Sequence, residues 1–278
     1  MEGHAPSWPW EPDATERVPP GEFIKEEIRT GEIMNGFKTL LYEKKAGVAF
    51  VTLNRPEAMN AFNIQMRDDL YEVLSAIKDD SEVRVAIFQG AGEKAFCAGA
   101  DLSEFLSAPA PVAARQVRIA RDVWGLFLSI PQPLIASLHG YVLGSGIEIA
   151  LCCDLRIAAE DARLGLPEVS LGIITAAGGT QTLPRVMGRS RALEMLLTNR
   201  WLNAKEAYQA GLVNRVVPRG KLLGAVEEMA KNIAAFDPRA VRLAKEAILR
   251  GAELPLAEGL ALERNLVSQL ASLKSGVS

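Results

Sequence analysis

The chain has 278 residues, of which 49% are hydrophobic, so it can build one sizeable core or a core with a smaller appendage. Its 31 Lys and Arg nearly balance its 34 Asp and Glu, which leaves no basic field for nucleic acid or a membrane surface. Three cysteines and no opening signal-peptide pattern favour a reducing, cytoplasmic location. Because Gly144, Gly146 and Glu148 interrupt the most apolar run, we also expect no membrane span.

Residues 1–37 differ in composition from the rest of the chain. The segments PSWPWEPD and RVPPGEF are rich in proline and charge and poor in aliphatic side chains. Such a stretch cannot bury enough apolar surface to fold alone, so we predict an extended N-terminal arm. Disorder of this arm and docking of its Trp8 and Trp10 rings are both open at this point.

Regular patterning begins at Thr39. TLLYEKK and GVAFVTL are short β-rich runs separated by Gly47, which predicts a hairpin. Apolar residues recur at helical spacing in NIQMRDDLYEVLSAIKDD, and RVAIFQG reads as a buried strand that ends at Gly90. PVAARQVRIARDVWGLFLSI, residues 111–130, predicts a second amphipathic helix, and PLIASL and DLRIAAE predict two further strands.

After Gly188 the pattern becomes mostly helical. Alternating strands and helices followed by a helical tail indicate a β-helical or layered α/β core with a C-terminal helical module. The predicted helices of the tail are SRALEMLLTN, NAKEAYQAG, KLLGAVEEMAKNIAAF, PRAVRLAKEAILRG and LAEGLALERNLVSQL.

The first candidate site is Gly144-Ser145-Gly146-Ile147-Glu148, which joins a predicted strand to the helix IEIALCC. Backbone N–H groups at a helix N-terminus favour an anion or a developing oxyanion. A tight strand-to-helix turn is the alternative reading. Such a turn does not explain Glu148. Placing an ionised carboxylate in an apolar run costs several kcal/mol, and a chain tolerates that cost for an ion pair, a metal or catalysis.

The second candidate is the segment KAFCAGADL, Lys94 to Leu102, which we interpret as a loop of small residues that a ligand can approach closely. An ordinary loop with Asp101 as a helix N-cap is an equal alternative. The preceding Gly90-Ala91-Gly92-Glu93-Lys94-Ala95 matches the dinucleotide pattern G-x-G-x-x-A. We reject a nucleotide fold, because FCAGAD does not open a helix and no acidic strand end follows at the required distance.

The third candidate is Glu168, a second carboxylate among apolar neighbours. Together with Glu148 it could form an acid and base pair in which burial raises one pKa toward neutrality. A local cap or ion pair and a glycosidase pair are alternatives, although the chain lacks the aromatic density of sugar platforms. A serine-hydrolase reading of Ser145 fails for lack of a G-x-S-x-G elbow, and His139 reads as a core or turn histidine.

In their order and spacing these segments resemble the enoyl-CoA hydratase (crotonase) family. The resemblance runs from about Thr39 to the end of the chain. It implies an α/β fold with a ClpP-like spiral of ββα turns over 38–200, two sheets, and a helical trimerisation domain over 201–278. The matching segments are LNRPEAMNAF, AFCAGADL, HGYVLGSGIEIALCCDLRIA, LGLPEVSLGI, AAGGTQTLPR and AKEAYQAGLVNRVVP.

The resemblance also implies an acyl-coenzyme A substrate whose thioester oxygen binds two backbone N–H groups. By motif position these belong to Ala100 and Ser145, although the family usually has glycine at the second position. Glu148 and Glu168 match the two carboxylates typical of hydratases, with Glu148 activating water and Glu168 as the protonated acid. No metal and no cofactor beyond the coenzyme A of the substrate are implied.

Further positions carry over from the motifs to the walls of the substrate site. Trp124 matches a tryptophan beside the acyl pocket, and Ala176 matches a glycine whose N–H helps to place the water. Leu166 replaces a glutamine next to the acid, and Ser107 to Gln116 matches a mobile acyl-pocket segment. The remaining positions implied to line the thioester and coenzyme A are Ala58, Met59, Ala98, Gly99, Asp101, Leu102 and Gly144.

The resulting prediction is an enzyme, a 2-enoyl-CoA hydratase of fatty acid metabolism that forms a homotrimer or a hexamer. A family member with both glutamates that acts on a branched, cyclic or hydroxylated acyl-CoA, as a dehydratase, is the alternative. An isomerase is disfavoured by Glu148. RNA binding, known for some family members, would call for a basic patch near the LSAIKDD helix. It is disfavoured because this helix carries Asp68, Asp69, Asp79 and Asp80.

Overall fold

The computed structural model describes residues 32–34, 36–105 and 121–275. Strands and helices alternate up to about residue 175, and helices dominate after it. The strands are β1 (Glu32–Met34), β2 (Leu40–Lys45), β3 (Val48–Leu53), β4 (Val85–Gly90), β5 (Ala95–Cys97), β6 (Leu134–Leu138), β7 (Tyr141–Leu143), β8 (Leu155–Ala159), β9 (Arg163–Gly165), β10 (Leu202–Asn203) and β11 (Arg215–Val217).

The α-helices and three short 3-10 helices, at Pro56–Ala58, Pro167–Leu171 and Arg219–Lys221, complete the described elements. The α-helices are α1 (Ile64–Asp79), α2 (Leu102–Phe105), α3 (Val123–Leu128), α4 (Ser145–Cys152), α5 (Gly179–Met187), α6 (Arg189–Leu197), α7 (Ala204–Gln209), α8 (Leu222–Ala234), α9 (Pro238–Gly251) and α10 (Leu256–Ser275).

The strands form two sheets that share one repeating connection. Strands β1-β2-β3-β4-β6-β8-β11 make a seven-stranded sheet, and β10-β9-β7-β5 make a four-stranded sheet. Each turn of the chain adds one strand to the large sheet, then one to the small sheet, then a helix. The pairs β4 to β6, β6 to β8, β5 to β7 and β7 to β9 are all parallel. The predicted spiral of ββα turns is confirmed.

The hairpin predicted around Gly47 joins β2 and β3 in antiparallel register from Leu40↔Leu53 to Lys45↔Val48. Its two turn residues, Ala46 and Gly47, both have positive φ, of 50° and 76°. This two-residue geometry matches the right-handed twist of the flanking strands. Helix α1 follows as predicted, with Asn63 as its N-cap and an apolar face in the main core.

Two local predictions were wrong. The segment read as a loop after β4 contains β5, whose three residues are fully buried and pair with β7. The helix predicted over residues 111–130 is broken at Asp122, which has a non-helical ψ of 82° and caps α3 by accepting the N–H of Gly125. An acidic residue with a free side-chain oxygen competes with helix continuation and favours a new N-terminus.

The C-terminal residues complete the large sheet as well as adding helices. Strand β11 pairs in parallel with β8, and α8 packs on the second core cluster around Val85, Ile87 and Ile157. On α9, Lys245 Nζ lies 2.7 Å from Asp154 Oδ2. The predicted division at residues 200 and 201, and the trimerisation role of the helices, stay predictions.

Several predictions fall outside the described residues. They concern the arm up to residue 31 with Trp8 and Trp10, the predicted helix over residues 111–120, and the segment from Ser107 to Gln116. The end of the predicted arm is described, and Glu32–Met34 pairs with β2 as an antiparallel edge strand. Among the described helices, none combines the length and the apolar character needed to cross a bilayer.

Candidate active site

Three of the predicted site residues lie at one edge of the four-stranded sheet. Strands β5, β7 and β9 are neighbours and parallel, so their carboxyl ends meet at the same edge. Ala100 follows the end of β5, Ser145 follows the end of β7, and Glu168 follows the end of β9. The fold therefore brings together residues up to 68 positions apart in the chain.

The loops after β5 and β7 touch through their glycines. A methyl group on Gly144 would lie 3.4 Å from the Cα of Gly99, and one on Gly99 would lie 3.4 Å from the carbonyl oxygen of Leu143. Both glycines have positive φ, of 50° and 106°. Ala100 and Ser145, the next residue in each loop, are consequently close to one another, as an oxyanion hole requires.

The backbone around each of these two residues leaves its N–H available. The β-bridge between Phe62 and Ala100 consists of two hydrogen bonds. The Phe62 N–H donates to Gly99 O at 2.8 Å, and the Asp101 N–H donates to Phe62 O at 2.9 Å. Ala100 therefore directs its own N–H away from Phe62. Ser145 is the first residue of α4, where the N–H has no partner within the helix.

Glu148 lies in the first turn of α4 with its side chain only 3% exposed. Its Oε1 accepts the N–H of Ala177 at 2.9 Å and that of Gly179 at 3.0 Å. Burial raises the pKa of Glu148 and the nearby Glu168 adds to that rise, whereas the two N–H groups oppose it. The carboxylate thus rests on the N-terminus of α5, where the helix dipole also favours negative charge.

Glu168 sits on the 3-10 helix that follows β9, beside the loop of Ser145. A methyl group on Gly144 would lie 3.0 Å from Glu168 Oε1. Glu168 Oε2 is buried and has no hydrogen-bond partner in the part of the chain that the structure describes. Burial raises the pKa of this carboxyl as well. Two carboxyl groups with raised pKa values therefore lie near the same pair of loops.

A scaffold from the segment LNRPEAMNAF holds the Ala100 loop in place. Asn60 is fully buried, and its Nδ2 donates to Ala91 O and to Ala95 O, both at 2.9 Å. Arg55 Nη2 lies 2.9 Å from Asp101 Oδ2. Asp101 also accepts the side-chain hydroxyl of Ser103, and these two partners lower its pKa. The alternative reading of Asp101, as the residue that starts helix α2, is compatible with this geometry.

Trp124 borders the same region from α3. Its ring is half-buried and lies 5.5 Å from the ring of Phe62 and 6.5 Å from that of Phe127, measured between centroids. Because Phe62 bridges to Ala100, this aromatic group reaches the Ala100 loop. That Trp124 forms the wall of an acyl pocket stays a prediction.

The other predicted lining positions fall around these loops. Ala98 N–H donates to Met59 O at 3.1 Å, which joins the two predicted coenzyme A segments. Met59 and Leu102 are exposed and Ala58 is half-buried. Ala176 is exposed and lies next to the N–H donors of Glu148. Their roles in binding stay predictions.

Sequence reasoning missed four residues that build the site. From the sequence, no role was assigned to Arg55 or Asn60, although both lie in a matching segment. The N–H groups of Ala177 and Gly179 were also not assigned to Glu148. Glycines before an amphipathic segment, as in AAGGTQTLPR, are the signal that could have found the second pair, since the same signal had identified Gly144 and Gly146.

Other candidates have structural roles. His139 is buried and its Nε2 lies 3.1 Å from Gly92 O, in agreement with the prediction of a core histidine. Cys97, Cys152 and Cys153 are buried and unbridged, and burial raises their pKa values, so they are inert packing residues. Strand β5 is the next element after Gly90-Ala91-Gly92, where a nucleotide fold would have a helix.

A cavity of about 230 Å³ lies apart from these loops, between α5, α6 and α7. Met187, Met195 and Leu202 line it together with Arg200, which forms ion pairs with Glu194 and Glu206. None of the predicted site residues lines it. The charged groups of its ion pairs neutralise each other, so we place the candidate reaction site at the sheet edge and not in this cavity.

Comparison with known proteins identifies the fold and its family. The profile of the family Enoyl-CoA hydratase/isomerase matches residues 43–277. The chain is 41% identical over 224 residues to the short-chain-enoyl-CoA hydratase of Clostridium acetobutylicum, covering 81% of this chain and 86% of that protein. It is 40% identical over 215 residues to the (E)-benzylidenesuccinyl-CoA hydratase of Thauera aromatica, covering 77% and 83%.

A solved structure agrees with these sequence matches. The crystal structure of an enoyl-CoA hydratase from Bacillus anthracis superposes with a TM-score of 0.76 at 38% identity, covering 89% of this chain and 97% of that one. The chain belongs to the enoyl-CoA hydratase/isomerase (crotonase) family. The family predicted from the sequence motifs is therefore confirmed.

Proposed function

We propose that this enzyme is a 2-enoyl-CoA hydratase, which adds water across the 2,3 double bond of an enoyl thioester to give a 3-hydroxyacyl-CoA. The observation that carries the proposal is the pair of glutamates with raised pKa values beside two available N–H groups. The names of related proteins, hydratases of acyl-CoA thioesters, support the same reaction.

The two N–H groups of Ala100 and Ser145 would polarise the thioester carbonyl. Negative charge develops on its oxygen as the nucleophile attacks, and conjugation transmits the polarisation to C3. A donor that is already aimed at this oxygen can lower the barrier by about 3 kcal/mol. The close contact between the Gly99 and Gly144 loops supports two donors that are held near each other before substrate binds.

The glutamates would divide the proton transfers between them. Glu148 takes one proton from water as the water oxygen bonds to C3, and Glu168 delivers a proton to C2. The net change is addition of one water, and the proton taken by Glu148 returns to Glu168 before the next turnover. Such acid and base catalysis contributes about 10²- to 10⁴-fold.

Hydrogen bonding supports this assignment of roles. Glu148 Oε1 accepts two backbone N–H groups, which stabilise its ionised form, whereas Glu168 Oε2 is buried without a partner. A buried oxygen without a donor is less costly on a neutral carboxyl than on a carboxylate. This difference supports Glu168 as the group that holds the proton and Glu148 as the ionised base.

The acyl group is the open part of the proposal. Ser145 adds a side chain where the family usually has glycine, and buried Leu166 stands next to the acid in place of glutamine. A branched, cyclic or hydroxylated acyl-CoA, worked on in the dehydration direction, is the second candidate. The benzylidenesuccinyl-CoA specificity named for one relative supports keeping it.

The test is to mix the purified full-length chain with crotonyl-CoA and follow the absorbance of the conjugated enoyl thioester. We expect the absorbance to fall, with 3-hydroxybutyryl-CoA as the product, and we expect a Glu148→Gln, Glu168→Gln double variant to leave it unchanged. A panel of longer, branched and aromatic enoyl-CoA thioesters then ranks acyl preference by kcat/KM. Conversion of none of them would refute the proposal.

A further inference from the structure

Thr175 contributes a buried polar atom that the mechanism above leaves unused. Its side chain is 5% exposed, and its Oγ1 has no hydrogen-bond partner among the described residues. Burying a hydroxyl without a partner costs about 1–3 kcal/mol, so such an atom in a native fold calls for an explanation. A valine would fill the same volume without that cost.

Thr175 lies in the segment that connects the element of Glu168 to the helix that binds Glu148. It follows the 3-10 helix that carries Glu168 and precedes α5, whose N-terminus binds Glu148. A methyl group on Gly179 would lie 3.1 Å from Glu148 Oε1 and 3.2 Å from Thr175 Cβ. The Thr175 side chain and the Glu148 carboxylate therefore border the same small volume.

We infer that the Thr175 hydroxyl is a third polar group of the reaction site and contacts the reacting water beside Glu148. This inference rests on the proposed hydratase function. The reacting water donates one hydrogen to Glu148, and its second hydrogen needs an acceptor. One lone pair of the water oxygen must point at C3. A hydroxyl oxygen can accept that second hydrogen, which fixes the lone pair toward the substrate.

The inference predicts opposite effects on stability and on turnover. In the free protein no described residue hydrogen-bonds the hydroxyl, so we expect its removal not to destabilise the fold. In the reaction complex it makes one, because hydrogen bonds to reacting groups are often completed only when substrate is bound. A threonine that merely packs would show no such separation between stability and rate.

The experiment compares Thr175→Val with Thr175→Ser in crotonyl-CoA hydration and in thermal unfolding. We expect Thr175→Val to lower kcat about tenfold, as expected for the loss of one hydrogen bond in the transition state, with KM changed less than about twofold. Its melting temperature should equal or exceed that of the wild type. Thr175→Ser keeps the hydroxyl and should recover most of kcat.

Thr39→Val is the matched control. Thr39 is also buried, but its Oγ1 donates to Asp69 Oδ2 at 2.7 Å, far in the chain from the site loops. This control should lose stability and keep the wild-type kcat. If Thr175→Val does not fold, Thr175→Ala supplies the same comparison, since it also lacks the hydroxyl.

The outcomes separate the inference from the function on which it rests. Wild-type hydration with unchanged kcat in Thr175→Val would overturn the inference alone. A fall in kcat that Thr175→Ser does not recover would also overturn it, because the hydroxyl would not be the cause. If the wild type hydrates no enoyl-CoA in the panel, the proposed function and the inference fail together.

Discussion

At the scale of single residues, Glu148 and Glu168 show how a fold can keep two carboxyl groups in apolar surroundings. Glu148 is tolerated because two N–H groups of the α5 N-terminus bind its Oε1. Glu168 has no comparable support and holds a buried, unpartnered oxygen. The pair is costly to the fold, so replacing either carboxyl group should harm the reaction and not the stability.

We predict that Glu148→Gln and Glu168→Gln each lower hydration of crotonyl-CoA by about 10²- to 10⁴-fold. Glutamine keeps the shape and an acceptor oxygen for the Ala177 and Gly179 N–H groups, but it cannot take or deliver the proton. Thermal unfolding should show a melting temperature at or above that of the wild type. Near-wild-type turnover by either variant would contradict the assigned roles.

The raised pKa values also predict how stability depends on pH. Burial makes the folded chain hold protons on Glu148 and Glu168 at a pH where the unfolded chain, with pKa values near the ordinary 4.5, has released them. The folded state then binds more protons, so this contribution to stability is lost as pH rises from about 4.5 through the raised pKa values.

Glu148→Gln removes one of these titrating groups. Relative to the wild type, we expect the variant to gain free energy of unfolding as pH increases between about 4 and 8, measured by urea unfolding at each pH. The control Glu258→Gln changes an exposed carboxyl at the start of α10 and should show a nearly constant difference. A constant difference for Glu148→Gln would mean that its pKa is not raised.

At the scale of elements, the position of α4 depends on its close contact with β5. A methyl group on Gly146 would lie only 2.2 Å from Cys97 O, so only glycine lets the helix approach this strand. The contact determines the position of the Ser145 N–H and of the Glu148 side chain, which extends to the N-terminus of α5. Gly146 therefore determines the position of the helix and does not favour helix formation.

We predict that Gly146→Ala lowers stability by about 1–3 kcal/mol, as expected when an added methyl group overpacks a buried contact, and lowers hydration because the helix must shift. Gly224→Ala is the matched control. Gly224 lies in α8 with no atom within 4 Å of the added methyl, so the change should stabilise the chain by about 0.5–1 kcal/mol. Urea unfolding and crotonyl-CoA hydration measure both variants.

Elements were predictable from the sequence in proportion to their length. The hairpin, α1, β4, β6, β8 and the C-terminal helices carry several turns or alternations of pattern, and all were found. Strands β5, β7, β9 and β10 have two or three residues, too few to show a period of two. Since these strands make up the four-stranded sheet, its existence followed only from the family resemblance.

At the scale of the whole molecule, the site depends on contacts that no local pattern shows. The motifs identified Ala100, Ser145, Glu148 and Glu168, but their convergence follows from the parallel order of β5, β7 and β9. The support of Glu148 by Gly179, 31 residues away, is equally invisible in the sequence. The motifs along the chain identify the residues that can react, whereas the register of the sheet determines how far apart these residues lie.

Arg156 joins three distant parts of the molecule at the far end of the site helix. It is buried at 7% exposure on β8, and burial lowers its pKa from the usual arginine value. Its Nε donates to Leu212 O at 2.7 Å, and its Nη1 donates to Cys153 O at 2.5 Å and to Ala150 O at 3.2 Å. One side chain thus ties the large sheet to the C-terminus of α4 and to the segment that leads into β11.

We predict that Arg156→Met lowers the free energy of unfolding by about 2–4 kcal/mol, because buried carbonyl groups lose their donor. Arg185→Met removes an exposed arginine whose ion pair with Glu253 is solvent-screened, so it should change stability much less than Arg156→Met. Urea unfolding of both variants measures the difference. Because α4 carries the Ser145 N–H and Glu148, the loosened helix should also lower kcat in Arg156→Met. Equal stability losses in the two variants would show that α4 is held in place without this arginine.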